Sequence, residues 1–330
     1  MNFITSIKNK KIFHVTHNDL DGIGARIIAE FYIKPYCSEF VVQNNSEFDM
    51  RFLDWKEVEK ADVILFTDMT PFPRAMYDKL VNELKKEIYI FDHHQTGYDE
   101  LGSLPNYFFS IDRCGTKILY DFLTENKRKE KIIKDFVELV NTYDMWFTET
   151  ELWEKGKSVH NILWGSMDWK KYNDMTDTDR CKKFVDNQLN KFLNNLDNNY
   201  FFYTYEDEIV KKANKKENSA YEEAKRNLKL RLDNSGGKYI YTECQSKVSL
   251  VAYRLLKEFK DIVDYIIIHP TWPENSSGIK NGKLSLRSNS YFNVKTIAEK
   301  WKGGGHSNAS GLELSIEDFS KLKVGELHLI

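Results

Sequence analysis

This sequence of 330 residues has little cysteine, no long apolar run and no surplus of one charge. Its four cysteines, Cys37, Cys114, Cys181 and Cys244, are each more than sixty residues from the next. That spacing excludes a CxxC-type metal pair and a dense disulfide framework, and it points to a reducing cytosol. The longest apolar stretches, such as 263–268, fall far short of the roughly 20 residues that a membrane span needs. No apolar segment with a small-residue cleavage site follows Met1, so no secretory signal is expected and the expected location is cytoplasmic. The 48 Lys and Arg residues face 50 Asp and Glu, a formal net charge of −2. A protein that coats long nucleic acid needs surplus positive charge, whereas a short anionic ligand in a local pocket needs none. What is present is ordinary globular material, 41% hydrophobic and 30% charged. At this length it predicts two domains, each with its own core.

Hydrophobic periodicity divides the chain. Residues 11–17 read as a buried strand and 22–33 as a helix, followed by strands at 40–43, 62–67, 87–91 and 107–111, with a further helix from Pro71 to about residue 85. Strands separated by helices predict βαβ units and a parallel sheet with helices on both faces. From 115 to about 232 the pattern is nearly all helical, and its last part, 205–231, interleaves Glu and Lys as a solvated connector would. Ser235-Gly236-Gly237 breaks that pattern. A second strand-helix-strand series follows, with strands at 239–242, 263–269, 283–287 and 312–314 and helices at 248–259 and 294–301.

Acidic and histidine clusters stand where strands end. They are His17-Asn18-Asp19-Leu20-Asp21-Gly22, Thr67-Asp68-Met69-Thr70 and Asp92-His93-His94, and Asp144 closes a later helix. The carboxyl ends of parallel strands form the ligand crevice of an open sheet, so the first three clusters converge there. A single aspartate after a strand is most often a cap or turn residue, and a single histidine at a buried strand end is most often a core residue. Several carboxylates on one rim are costly unless cations neutralise them. So many imidazole and carboxylate donors exceed what one ion needs, and they suit Mn²⁺, Fe or Zn²⁺.

The ordered motifs His17-Asn-Asp-Leu-Asp-Gly22, Asp68, Asp92-His93-His94 and Asp144 resemble those of the DHH phosphoesterase superfamily. Gly303-Gly304-Gly305-His306 resembles the GGGH signature of that family's usual accessory domain, and Leu284-Ser285-Leu286-Arg287-Ser288 resembles its arginine-bearing strand. The resemblance spans residues 11 to about 314. It implies an α/β architecture of a parallel-sheet metal-binding domain over 1–195, a helical linker over 196–234 and a smaller mixed α/β substrate domain over 235–330. It implies two divalent ions, Mn²⁺ with Mg²⁺ as the alternative. His17, Asp19 and Asp68 would hold one, and Asp21, Asp68, His93 and Asp144 the other. Asp92 would orient a histidine from behind, and His94 would act as a catalytic residue beside the scissile phosphate. Arg287, Gly304, Gly305, His306 and Asn308 would bind the substrate's phosphate or terminal nucleoside.

Two ions of this kind activate water and clamp phosphoryl oxygens. Within the superfamily, GGGH argues against inorganic pyrophosphatase, the compact second domain against a RecJ-type single-strand exonuclease, and the lack of spanning segments against membrane-bound cyclic-dinucleotide members. The first motif looks most like that of bacterial oligoribonucleases (nanoRNases). The expected substrates are therefore short RNA or DNA oligonucleotides or dinucleotides, cleaved to nucleoside monophosphates by a monomer or homodimer without membrane contact. A cyclic-dinucleotide or phosphoadenosine-phosphate phosphoesterase and a RecJ-like single-strand exonuclease are the alternatives, and a non-catalytic nucleotide-binding module is the reading from another class. Tyr291, Phe292 and Trp301, near the accessory motif, are candidate stacking surfaces for bases, although large aromatics in α/β domains are more often core.

Overall fold

Successive side chains along the central strands of the first sheet point to opposite faces and enter two different cores. In β3 (Val63–Thr67), Val63 and Leu65 pack in one apolar cluster, whereas Ile64 and Phe66 pack in a second. Strand β1 (Ile12–His17) and strand β4 (Glu87–Asp92) divide in the same way, with Ile12 and Phe91 on one side and Phe13, Ile88 and Ile90 on the other. A sheet buried on both faces needs apolar residues at consecutive positions, which is why IFHVTH and VILFT read as continuous runs. These features are taken from a computed structural model, which describes residues 7, 9–41, 50–71, 73–124, 130–166, 177–194, 204–271, 282–289 and 291–330.

The chain divides into two compact units, Met1–Val210 and Lys211–Ile330. In the first, β1, β2 (Cys37–Val41), β3, β4 and β5 (Tyr107–Phe109) form a wholly parallel sheet in the order β2-β1-β3-β4-β5. Helix α1 (Leu20–Tyr32) follows β1, and the short α2 (Lys56–Lys60) precedes β3. After β3 comes α3 (Arg74–Asp78), whose last turn widens into a π-helical turn over Lys79–Glu83. Then come α4 (Gln95–Leu101), α5 (Gly115–Thr124), α6 (Lys131–Asp144), α7 (Trp153–Ser166) and α8 (Asp177–Asn194). The strand order reverses direction between β1 and β3, and that switch point is where an open parallel sheet presents a ligand crevice.

Helix α9 (Thr204–Arg226) contains the division between the units. In the second unit Ala220, Tyr221 and Ala224 of this helix pack with Ile240, Val251 and Ile266. The stretch read from sequence as helical to about 232 therefore ends early. Lys229–Leu232 is strand β6, antiparallel to β7 (Lys238–Cys244). The Lys-Leu-Arg-Leu alternation has the two-residue period of a strand, which the surrounding charge pattern hides.

The second sheet has the order β10-β11-β9-β8-β7-β6, built from β8 (Tyr265–Pro270), β9 (Gly282–Ser288), β10 (Gly304–His306) and β11 (Ala309–Leu314). Only β7 and β8 pair in parallel, across α10 (Val248–Glu258). Helices α11 (Val294–Lys300) and α12 (Ile316–Val324) complete the unit. The glycine stretch at 303–305, a flexible loop by composition, enters a hairpin in which Gly304 pairs with Gly311 and Gly305 with Ser310. Of the second strand expected at 40–43, residues 42–43 lie outside the described residues, as do 196–203 of the expected linker. Among the described residues no helix is long and apolar enough to cross a membrane.

Candidate metal centre

Three βα turns and one helix end supply the site. At the end of β1 the chain turns into α1 through Asp19, the N-cap residue, whose Oδ1 accepts from the Gly22 amide at 3.1 Å. This ordinary cap interaction uses one carboxylate oxygen. The other, Oδ2, lies 2.9 Å from His17 Nδ1.

Asp21, two residues on, is wholly buried. Its two oxygens accept from the backbone amides of Gly115 at 2.6 Å and Thr116 at 2.8 Å, at the start of α5. A buried carboxylate over the free amides of a helix N-terminus is stabilised both by hydrogen bonds and by the helix dipole. Gly115 is required here, because a Cβ would stand 2.9 Å from the Asp68 amide nitrogen and 3.1 Å from Asp21 Oδ2.

Asp68 follows β3 in the left-handed region, with φ of 54°, and its amide donates to Phe91 O at 2.9 Å. Aspartate tolerates this conformation better than most residues, but it remains uncommon and marks a constrained turn. The side chain is 1% exposed. Asp68 Oδ1 lies 3.4 Å from His93 Nε2, and Asp68 Oδ2 lies 3.8 Å from His17 Nδ1. His93 Nε2 also lies 3.5 Å from Asp144 Oδ2, at the end of α6, and 3.8 Å from Asp21 Oδ2. Donor atoms of His17, Asp19 and Asp68 lie within 4.8 Å of one another, as do those of Asp68, His93 and His94, and those of Asp21, Cys114 and Asp144. All six residues expected as metal ligands are thus brought together, with Asp68 common to two of the groups.

Burial, followed by the neighbouring Asp19, Asp21 and Asp144 charges, raises the Asp68 carboxyl well above its usual range. Burial and the Asp21 and Asp19 charges do the same to Asp144. Both retain a buried Oδ2 that accepts no hydrogen bond. A carboxylate oxygen in that position is costly, and a divalent cation satisfies several at once. On this observation the residues, with their mixed imidazole and carboxylate donors, fit bound divalent ions.

Asp92 holds His94. Its Oδ1 accepts from His94 Nδ1 at 2.7 Å and from the backbone amides of His93 and His94 at 2.8 and 3.3 Å. Its Oδ2 accepts from Thr70 Oγ1 at 2.6 Å, and Thr70 Oγ1 lies 2.7 Å from the Tyr107 hydroxyl. Burial alone would lower the imidazole's pKa. The Asp92 charge and hydrogen bond, with Asp144 and Asp19 beyond, outweigh it and raise His94 to about 9. Burial likewise works against Asp92, yet its contacts with His94 and Thr70 hold its carboxyl down at about 2. His93 is lowered by burial and by the adjacent His94.

The expected substrate residues gather in the second unit. Arg287 is partnered by Ala309 across the β9–β11 pair, and its guanidinium donates to Ser285 Oγ, Leu286 O and Ser249 Oγ at 2.9, 2.9 and 3.0 Å. Gly304, Gly305, His306 and Asn308 are exposed on the β10–β11 hairpin. Gly305 has φ of 135°, and a Cβ there would meet Ala309 O at 2.5 Å. At Gly304 a Cβ would meet nothing within 4 Å, leaving open space over the backbone.

Sequence reasoning missed several supporting residues. Thr70 and Tyr107 behind Asp92, and Gly115 and Thr116 behind Asp21, are tertiary partners (the Asp21 to Thr116 contact spans 95 positions). The Cys-Gly-Thr run opening an amphipathic helix was the available signal for the second pair. Two stacking candidates are partly buried and pack against the core of the second unit. Phe292 stacks on Tyr265 at 4.6 Å and 12°, and the Trp301 indole donates to Leu329 O at 3.0 Å. Tyr291 is 95% exposed.

No family model matches the sequence. A 3′,5′-cyclic-nucleotide phosphodiesterase of Helicobacter pylori is 23% identical, covering 91% of this chain and 92% of the relative. The oligoribonuclease NrnB of Bacillus subtilis is 24% identical, covering 93% of this chain and 74% of the relative. Among solved structures, a DHH domain described as a member of the S1p family of ribosomal proteins superposes with a TM-score of 0.64 at 12% identity, covering 97% of this chain and 87% of that one. A pGpG-specific phosphodiesterase from Vibrio cholerae gives 0.56 at 14%, covering 95% and 97%. A RecJ exonuclease bound to manganese gives 0.51 at 14%, covering 97% and 90%.

Proposed function

We propose that this chain, whose motifs resemble those of the DHH phosphoesterase superfamily, is a metal-dependent phosphodiester hydrolase that degrades short oligonucleotides, dinucleotides included, to nucleoside monophosphates. The observation that carries the reading is the buried Asp68 carboxylate, shared between a group with His17 and Asp19 and a group with the paired histidines, with one oxygen accepting no hydrogen bond. His17, Asp19 and Asp68 would hold one divalent ion. Asp21, Asp68, His93 and Asp144 would hold a second. Mn²⁺ is the first choice and Mg²⁺ the alternative, in keeping with the manganese of the RecJ structure. When bound, such ions lower the pKa of water and place positive charge against phosphoryl oxygens.

The chain's own residues supply the rest. Asp92 accepts from His94 Nδ1, which leaves Nε2 to donate a proton to a leaving oxygen or a hydrogen bond to a phosphoryl oxygen. Thr70 and the backbone amides fix Asp92, so the imidazole is held before substrate arrives. In the second unit the exposed Gly304 backbone and Asn308, with Arg287 on the neighbouring strand β9, would offer donors to a phosphate or a terminal nucleoside. Near-neutral charge favours short substrates over long strands, and the names of the Bacillus and Vibrio relatives agree with that choice.

The test is a substrate panel with Mn²⁺: RNA and DNA oligomers of two to ten nucleotides, cyclic nucleotides and dinucleotides, phosphoadenosine phosphate and pyrophosphate. Mononucleotide release from dinucleotides and short oligomers is expected. Cleavage of cyclic nucleotides in their place would favour the activity named for the Helicobacter relative. Intact dinucleotides beside cleaved phosphoadenosine phosphate or pyrophosphate would overturn the reading.

A further inference from the structure

Helix α6 ends in an unusual way beside the site. Its last residue, Asp144, is followed by the C-cap Met145 and then by Trp146, whose φ is 59°. The left-handed position after a helix is ordinarily taken by Gly or Asn, and a bulky side chain there is an outlier. Backbone outliers of this kind concentrate at functional sites, and Asp68 is another in the same unit.

The Trp146 ring is fixed by neighbours. It meets Trp153 edge to face, with centroids 5.0 Å apart at 67°, and Tyr143 at 6.0 Å. Tyr143 is itself stacked between Trp153 at 5.5 Å and His160 at 4.4 Å. Gly156 permits this, because a Cβ would stand 2.7 Å from Leu139 O and 3.2 Å from Tyr143 Cβ. The next residue, Phe147, is 39% exposed. Its backbone is nonetheless tied down: the amide donates to Thr142 O at 2.9 Å, and the carbonyl accepts from Thr150 Oγ1 at 2.9 Å. The backbone that carries this exposed ring is therefore ordered before any ligand binds, which removes part of the cost of binding. Three residues of chain place its Cα at most about 11 Å from that of Asp144, whose Oδ2 is 3.5 Å from His93 Nε2.

We infer that Phe147 stacks on a nucleobase of the substrate and that Trp146 is the positioning residue that aims it. This rests on the proposed function, since a ligand with a base beside the scissile phosphate is what a rigid aromatic next to Asp144 would recognise. It assigns base contact to the first unit, whereas Phe292 and Trp301 of the second are partly buried against that unit's core.

The experiment measures affinity by calorimetry with Mn²⁺. The ligands are a non-hydrolysable dinucleotide with a 3′-methylene phosphonate linkage and two analogues that each lack one base. The wild-type protein is expected to bind the complete ligand about 10-fold or more tighter than one of the analogues, the usual size of one base–aromatic contact. Phe147→Ala and Trp146→Gly should bring that ratio close to one, and Phe147→Tyr should restore it. A ratio unchanged in Phe147→Ala, a wild-type ratio of one, or no binding would overturn the inference. Hydrolysis of the natural dinucleotide is followed in parallel. Base-dependent binding without hydrolysis would fault the proposed activity alone, and hydrolysis with an unchanged ratio would fault the stacking alone.

Discussion

Asp92 and His94 are joined by a 2.7 Å hydrogen bond between Oδ1 and Nδ1, whereas Asp92 reaches His93 only through the backbone amide. The aspartate of the Asp-His-His run therefore orients the second histidine, and the first is left to face Asp21, Asp68 and Asp144. One tripeptide at the end of a parallel strand thus supplies a candidate metal ligand, a candidate acid and the group that steers the acid.

Asp92→Asn keeps the shape of the side chain and removes the charge that raises His94. It should lower kcat on a dinucleotide by about 10²- to 10⁴-fold, the range of a lost general acid. KM should change little. His94→Gln should match it, and the double variant should be no worse than either single one, because the two residues act as a unit.

Asp68→Asn removes the carboxylate that both groups share. Mn²⁺ affinity measured by calorimetry should fall by at least 100-fold and activity should vanish. The metal-free protein should melt no lower than wild type at pH 8, and higher if the change is felt, because the substitution relieves a buried charge among Asp19, Asp21 and Asp144.

The metal-free protein should lose stability between pH 7 and 9. His94 sets this window, because Asp92 raises it to about 9 against burial; Asp68 and Asp144 are raised above their usual range, chiefly by burial, and act in the same direction. A group raised on folding contributes stability that is fully present below its unfolded pKa and is lost as pH rises through the folded one. Asp19 and Asp92 are lowered, as is His93, and their contributions change at lower pH. Melting temperatures in EDTA should fall by several degrees across this window, and the gain on adding Mn²⁺ should be larger at pH 9 than at pH 7. A melting temperature flat or rising across it would contradict the Asp92–His94 pairing.

Gly115→Ala tests the cradle from behind. Its Cβ would press on the Asp68 backbone and Asp21 Oδ2. Overpacking of this kind costs about 1–3 kcal/mol, and displaced supporting groups cost about 10- to 100-fold in metal affinity. Thermal unfolding and Mn²⁺ titration of the same preparation measure both.

The sequence made the sheet and the rim legible because both follow from local pattern. Runs such as VILFT mark strands buried on two faces, and a His or Asp just past each run falls at the crevice of a parallel sheet. Long-range partners left no such mark. Nothing around Asp21 signals that its oxygens are capped by the amides of Gly115 and Thr116, nor does Asp92 reveal Thr70 and Tyr107. The four-residue strand Lys229–Leu232 was hidden by the charged helix before it, and Trp146 looks unremarkable until its backbone conformation is known.

The central claim is that Asp68 is the shared carboxylate of a two-ion site. Calorimetric titration of Mn²⁺ into the metal-free protein tests it most directly. Two ions per chain are expected for the wild type, with tight binding lost at both positions in Asp68→Asn. A wild type that binds one ion or none, or an Asp68→Asn variant that still binds two with undiminished affinity, would contradict it.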